Sequence, residues 1–194
     1  MKYKSVLLNE LSYNELKAFR DSLSEKTSRN VTFSEAVDDA VGRNALLYRL
    51  DPRLRGYIEK FIDSLKKDEG ILGAILFGSV AKGTSTKYSD ADIFIVAKKD
   101  VGDSYDDVHE IIMSLNETKL GLAENGIFVY ISPTIVSKND LDDFKPIYLD
   151  VADYGIVLLN KGGTIDRFID KMRSIKHKRE HTEYGEVLTW KTKE

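Results

Sequence analysis

The chain has 194 residues, 42% of them apolar and 31% charged, with a formal net charge of −3. This length suits one domain or a domain with a small appendage, and the composition is that of a globular chain rather than a disordered one. The absence of cysteine excludes disulfides and thiolate zinc sites, and the small net charge confines any nucleic-acid contact to a local patch. No apolar run approaches the roughly 20 residues of a membrane span, and the N-terminus lacks a signal-peptide core, so the expected location is cytoplasmic.

Residues 1–50 read as a small strand-helix-helix arm. Residues 2–10 have strand character. Ser12 with Glu15 forms a capping box for a helix running to about Lys26, with Leu16, Phe19 and Leu23 on its apolar face. Thr32 with Glu35 forms a second box, and Phe33, Ala36, Val37, Ala40 and Val41 follow at helical spacing. An arm this short buries little surface alone, so it is expected to dimerise or to pack on the rest of the chain.

Residues 51–160 read as the principal domain. Asp51-Pro52 opens a helix whose stripe is Leu54, Tyr57, Ile58, Phe61, Ile62 and Leu65, ending at Gly70. Strands are expected at Ile71–Phe77, Ala91–Val96, Ile127–Ile131 and Gly155–Leu159. A short helix is expected after Gly78-Ser79, another from about Asp103, and one or two helical turns within Lys138–Asp153. This order predicts an α/β (α+β) fold, a small mixed sheet with flanking helices. Residues 161–194 read as an amphipathic helix and tail packed on that domain. Its apolar face is Ile165, Phe168, Ile169, Met172 and Ile175, and its last turns are crowded with Lys171, Arg173, Lys176, Lys178 and Arg179. Such cations either complement the helix dipole or hold a polyanion. His177-Lys178-Arg179-Glu180-His181 places two histidines four residues apart. On one helix face they can share zinc, but no third ligand is in sight and the default is a surface pair.

The chemistry concentrates at Phe77-Gly78-Ser79-Val80-Ala81-Lys82-Gly83 and Ser89-Asp90-Ala91-Asp92. In a strand, Asp90 and Asp92 point the same way, about 7 Å apart. Paired carboxylates repel unless a cation lies between them, and a hard divalent ion, Mg²⁺ or Mn²⁺, suits them. Gly78 admits a ligand close to the backbone, and Ser79 adds a hydroxyl and an N–H at a helix start, where phosphate oxygens bind well. Together these read as a site for a nucleoside triphosphate. The stretch Gly78 to Thr84 is not a P-loop, because Thr84 stands where the lysine belongs. Lys82 either reaches phosphate oxygens as a point charge or is solvated. Tyr148, Tyr154 and Trp190 either stack on a base or are ordinary core and boundary residues.

Gly-Ser, ten intervening residues (Val80 to Ser89) and then Asp-x-Asp inside an apolar strand resemble the nucleotidyltransferases of the DNA polymerase β superfamily, in their minimal form. The resemblance is specific from about Ile71 to Val96 and thinner to about Asn160. It implies a polymerase-β-like mixed sheet and Mg²⁺-dependent transfer of a nucleoside monophosphate, with ATP the expected donor, to an acceptor hydroxyl. Gly78 and Ser79, flanked by Lys82 and Ser89, would hold the nucleotide, and Asp90 and Asp92 would bind the metals. The arm resembles a ribbon-helix-helix module, which implies a homodimer and DNA contact through Lys2, Lys4 and Ser5.

The family's third carboxylate lies on a later strand, and Ile127–Ile131 contains none; Phe128 or Tyr130 stands on the expected face. Glu124 and Asp140 are the nearest substitutes. The alternative function is therefore a weak or inactive transferase fold acting as a regulator or antitoxin-like protein, through DNA or a small helical partner protein.

Overall fold

The computed structural model describes residues 10–27, 30–34, 36–37, 50, 52–86, 88–98, 100–182 and 185–190. It divides into two compact units, Met1–Leu46 and Leu47–Glu194. In the first, helix α1 spans Glu10–Thr27. Ser12 therefore lies inside the first turn and is not the cap that the sequence suggested. The Ser24 hydroxyl accepts the Val31 N–H at 3.0 Å, and the Phe33 ring stacks on Tyr13 at 5.4 Å beneath the Arg20 guanidinium at 4.4 Å. These contacts turn the chain into helical backbone at Phe33, Ser34, Ala36 and Val37, directly after Thr32. The expected ribbon, with Lys2, Lys4 and Ser5, lies outside the described residues.

In the second unit, the apolar runs on either side of Gly78-Ser79 become the central strands of a four-stranded mixed sheet. Helix α2 (Pro52–Lys67) buries the full stripe read from the sequence, from Leu54 to Leu65. Strand β1 (Ile71–Phe77) leads through the short helix α3 (Gly78–Lys82) to β2 (Ala91–Ala97). Helices α4 (Val101–Ser114) and α5 (Asn116–Glu124) precede β3 (Ile131–Ser137) and a 3₁₀ turn at Lys138–Asp142. Helix α6 (Ile147–Tyr154), β4 (Ile156–Asn160), α7 (Thr164–Arg173) and a hairpin of β5 (His177–Thr182) and β6 (Gly185–Trp190) complete the unit.

The strand order is β3-β2-β1-β4, with β1 antiparallel to both β2 and β4, and β2 parallel to β3. Alternation puts Ile75, Phe77, Phe94, Val96 and Val136 on one face, where they pack with Tyr148, Leu149 and Val151 of α6 and Ile165, Phe168 and Met172 of α7. Phe94, Tyr148 and Phe168 form a ring cluster with centroids 5.2 to 5.5 Å apart. Gly73 lets α7 lie flat on β1, since a Cβ there would sit 2.3 Å from Ile165 Cγ1. Ala74, Leu76, Ile93 and Ile95 on the opposite face are equally buried, so helices cover both sides.

Two further sequence expectations are corrected. The third strand is Ile131–Ser137, not Ile127–Ile131. It contains Pro133, which an edge strand tolerates when the ring nitrogen faces away from the ladder. The terminal helix ends at Arg173, so Lys178 and Arg179 lie on a strand. His177 and His181 are then about 13 Å apart along β5, too far to share an ion bound at about 2 Å.

The hairpin is fastened to α6 by charge. Arg179 bonds both Asp150, at 3.1 Å, and Asp153, at 2.9 Å. The two ring nitrogens of His177 lie 2.8 Å from the Ile175 carbonyl and 2.8 Å from Asp153. Both neighbours are acceptors, so only the imidazolium satisfies both. The Ile175 carbonyl, followed by Asp153, raises the His177 pKa above its ordinary value, against the opposing effects of burial and Arg179. A raised folded-state pKa means stability that is complete below about pH 6.5 and lost as pH rises through the folded value. His177→Gln is therefore expected to lower the thermal midpoint more at about pH 5.5 than at about pH 9. Equal losses at both would contradict this role.

Candidate active site

Phe77 pairs with Asp92 across β1 and β2, so the turn after β1 and the start of β2 meet at one end of the sheet. At that turn Gly78 adopts φ +71°, a conformation that side chains resist, and a Cβ on it would sit 2.1 Å from Asp92 Oδ2. The carboxylate of Asp92 thus rests against the bare backbone of Gly78. Ser79 follows in the first turn of α3, half-buried, and its carbonyl accepts the Thr84 N–H at 3.0 Å. Gly83, also at φ +71°, closes that helix. The Gly-Ser turn and the metal-type carboxylates, separated in sequence, are adjoining in space.

Asp92 is partly buried and Asp90 exposed. Burial first, and the Asp90 charge second, raise the Asp92 pKa above the ordinary carboxylate value. Two oxygen-rich side chains in this state fit a divalent cation, which removes the repulsion. Mg²⁺ is commonly held by one or two carboxylates with substrate phosphates and water supplying the rest, so the pair suffices as a donor set.

The Lys82 ammonium, at the far end of α3, bonds Asp150 at 2.9 Å and lies 4.5 Å above the Tyr154 ring. The Arg179 guanidinium lies 4.7 Å from the same ring. Lys82 is thus held by α6 rather than simply solvated, and Tyr154 serves it as a cation platform, while Tyr148 is core. Sequence reading missed Asp150, Asp153 and Arg179 in this arrangement. The available signal was the placement of Asp150 and Tyr154 four residues apart on one helix face. The Ser89 hydroxyl accepts the Thr86 N–H at 2.9 Å, and the Ser89 N–H donates to the Thr86 carbonyl at 3.1 Å. Ser89 therefore shapes the turn that delivers Asp90.

The true third strand also lacks the third acid. Asp92 is paired with Ser132, and Phe94 with Thr134, so Ser132 and Thr134 share the Asp92 face. Asp140 lies in the 3₁₀ turn beyond the other end of β3, and that end, Ser137, is about 16 Å from the level of Asp92. Glu124 is exposed at the end of α5. Among the described residues no group of three histidine, cysteine or acidic side chains is arranged to hold a metal, so neither substitute joins the pair.

Residues 58–133 match the family model described as the nucleotidyltransferase domain. Over this stretch the chain is similar to nucleotidyltransferase domains. The match begins within α2 at Ile58, takes in both central strands, Gly78-Ser79, Asp90 and Asp92, and ends within β3. Among solved structures, a toxin–antitoxin crystal structure with AMP-PNP is 20% identical, covering 59% of this chain and 82% of that one at a TM-score of 0.40. A crystal structure of the toxin–antitoxin MntA-HepT is 16% identical, covering 62% of this chain and 84% of that one at a TM-score of 0.40. No curated protein matches the chain. No helix among the described residues is long and apolar enough to cross a membrane.

The raised pKa of Asp92 carries a stability cost. A carboxyl whose folded pKa exceeds its unfolded value contributes stability below the unfolded pKa, near 3.9, that is lost as pH rises through the folded value. At neutral pH, in metal-free buffer, Asp92→Asn is therefore expected to raise the thermal midpoint by a few degrees. That gain should shrink on acidification to about pH 3.5. A midpoint lowered at neutral pH would contradict the assignment.

Proposed function

We propose that this nucleotidyltransferase domain moves a nucleoside monophosphate from a nucleoside triphosphate, with ATP the first candidate, to an acceptor hydroxyl. The observation that supports this reading best is the contact of Gly78 with Asp92, which brings the Gly-Ser turn against the carboxylate pair. Gly78 gives the triphosphate close access to the backbone, and Ser79 offers a hydroxyl and an N–H. Asp90 and Asp92 would hold Mg²⁺ or Mn²⁺. When bound, such an ion polarises the phosphoryl oxygens and stabilises the charge on the entering and leaving oxygens. Lys82, oriented by Asp150 and Tyr154, adds positive charge at the end of α3, and Ser89 fixes the approach of Asp90.

A second reading has its own observation. Ser132 and Thr134 on the Asp92 face of β3 leave no carboxylate to take the acceptor proton. A domain so built binds nucleotide and metal well and transfers slowly, or binds without transferring and acts as a regulator. Binding is common to both readings, so it is the first test. Thermal midpoints are measured with ATP, GTP, CTP and UTP, with and without Mg²⁺, for wild type and Asp92→Asn, each against its own ligand-free value. A nucleotide at 100 times its dissociation constant stabilises by about 2.7 kcal/mol. The expected result is a Mg²⁺-dependent upward shift in wild type that Asp92→Asn abolishes. No shift with any nucleotide would overturn both readings.

A further inference from the structure

In-line displacement brings the entering hydroxyl to the α-phosphorus from the side opposite the departing pyrophosphate. The sheet gives those sides an address. Gly78 and Ser79 follow β1, which flanks β2 on one side, while β3 flanks it on the other. A triphosphate held at Gly78-Ser79 and reacting beside Asp90 and Asp92 therefore receives its acceptor from the β3 side.

That side presents exposed aromatic surface. Tyr88, Phe128 and Tyr130 are 66%, 45% and 58% exposed. Tyr88, two residues before Asp90, stacks on Phe128 with ring centroids 5.9 Å apart and planes at 23°. The Tyr130 carbonyl accepts the Ala91 N–H at 2.7 Å, which pins this segment beside the carboxylate pair. The Lys119 ammonium lies 4.4 Å from the centre of the Tyr130 ring. Scattered exposed apolar residues need no explanation, but a clustered set at the mouth of a reactive site does.

We propose that Tyr88 and Phe128, with Tyr130 and Lys119 beside them, form the stacking shelf for the terminal base of a single-stranded polynucleotide acceptor. This rests on the transferase reading and extends it to the acceptor. Flat rings take any base by its π-face, and one adjacent ammonium suits a single backbone phosphate. The net charge of −3 does not furnish the basic track that a long duplex contact needs, so the contact is with a chain end. In the step itself, the terminal hydroxyl oxygen bonds to the α-phosphorus and the bond from that phosphorus to the β-bridging oxygen breaks. Pyrophosphate leaves with the electron pair, and the hydroxyl proton passes to solvent.

The test uses the full chain and a fluorescently labelled single-stranded RNA of about ten nucleotides, within the site sizes usual for such surfaces. Anisotropy reads RNA affinity without nucleotide for wild type, Tyr88→Ala, Phe128→Ala and Tyr88→Phe. In parallel, the Mg²⁺-dependent thermal shift by nucleoside triphosphate is measured for each. The expected result is a loss of RNA affinity of at least about fivefold in each alanine variant, retention in Tyr88→Phe, and an unchanged nucleotide shift. Four outcomes overturn the proposal. Two are RNA bound equally by wild type and the alanine variants, and RNA not bound at all. Loss of the nucleotide shift in the alanine variants with RNA affinity kept would make the shelf a seat for the donor base. A protein hydroxyl labelled equally by wild type and Tyr88→Ala would point to a protein acceptor. Failure of the transferase reading shows separately, as a wild-type protein with no nucleotide shift.

Discussion

The site depends on one close approach, the carboxylate of Asp92 lying where a side chain on residue 78 would be. Only glycine satisfies both the positive φ and the missing volume there. Because β1 and β2 are antiparallel with Phe77 opposite Asp92, the turn leaving one strand and the residue entering the other are forced to meet. Phosphate-type and metal-type groups thereby come together without a long loop. The cost is a partly buried carboxylate beside a second one, seen in the upward displacement of the Asp92 pKa. A divalent cation held there, as proposed, would remove that cost, and ligand affinity and ligand-free instability would then have a common origin.

Around this contact the sheet sorts the remaining parts by side. The Asp92 face continues inward as Phe94 and Val96, packed on Tyr148 and Phe168, so this end of the sheet is anchored in the core. Helix α6 works in both directions. Its buried face builds that core, and Asp150 and Tyr154 hold Lys82 while Asp150 and Asp153 bind Arg179 of the terminal hairpin. The hairpin therefore bears on α3 through α6, although it lies more than 90 residues downstream of Gly78. On the β3 side, Ser132 and Thr134 replace the expected acid with neutral hydroxyls, and the aromatic cluster stands just before that strand.

Much of this was legible from the sequence where local signals and tertiary packing agree. The α2 stripe is buried at all six positions, because 3.6-residue periodicity is a direct image of a covered face. Gly78-Ser79 and Asp90-x-Asp92 were readable because each lies where an apolar strand breaks or begins. The third strand was misplaced because Ile127–Ile131 looks more strand-like than a segment containing Pro133, and edge position overrides that preference. Helix α5 lacks apolar periodicity, with Leu120 exposed and Leu122 buried, so it left little signal. The basic tail was read at helical period. Its real pattern has period two, with His177 and Arg179 half-buried and Lys178 and Glu180 exposed. The partnership of Lys82 with Asp150 spans 68 residues, beyond the reach of any local pattern.

The central claim is that Gly78 serves the metal site by yielding space to Asp92. It is tested most directly by calorimetric titration of Mn²⁺–ATP into wild type, Gly78→Ala, Asp92→Asn and the double variant, with folding verified for each. The account predicts that Gly78→Ala, which removes no metal-binding group, loses affinity much as Asp92→Asn does. It also predicts that the double variant is scarcely worse than either single one, since both changes disable the same carboxylate. Wild-type affinity in Gly78→Ala, or fully additive losses in the double variant, would contradict it.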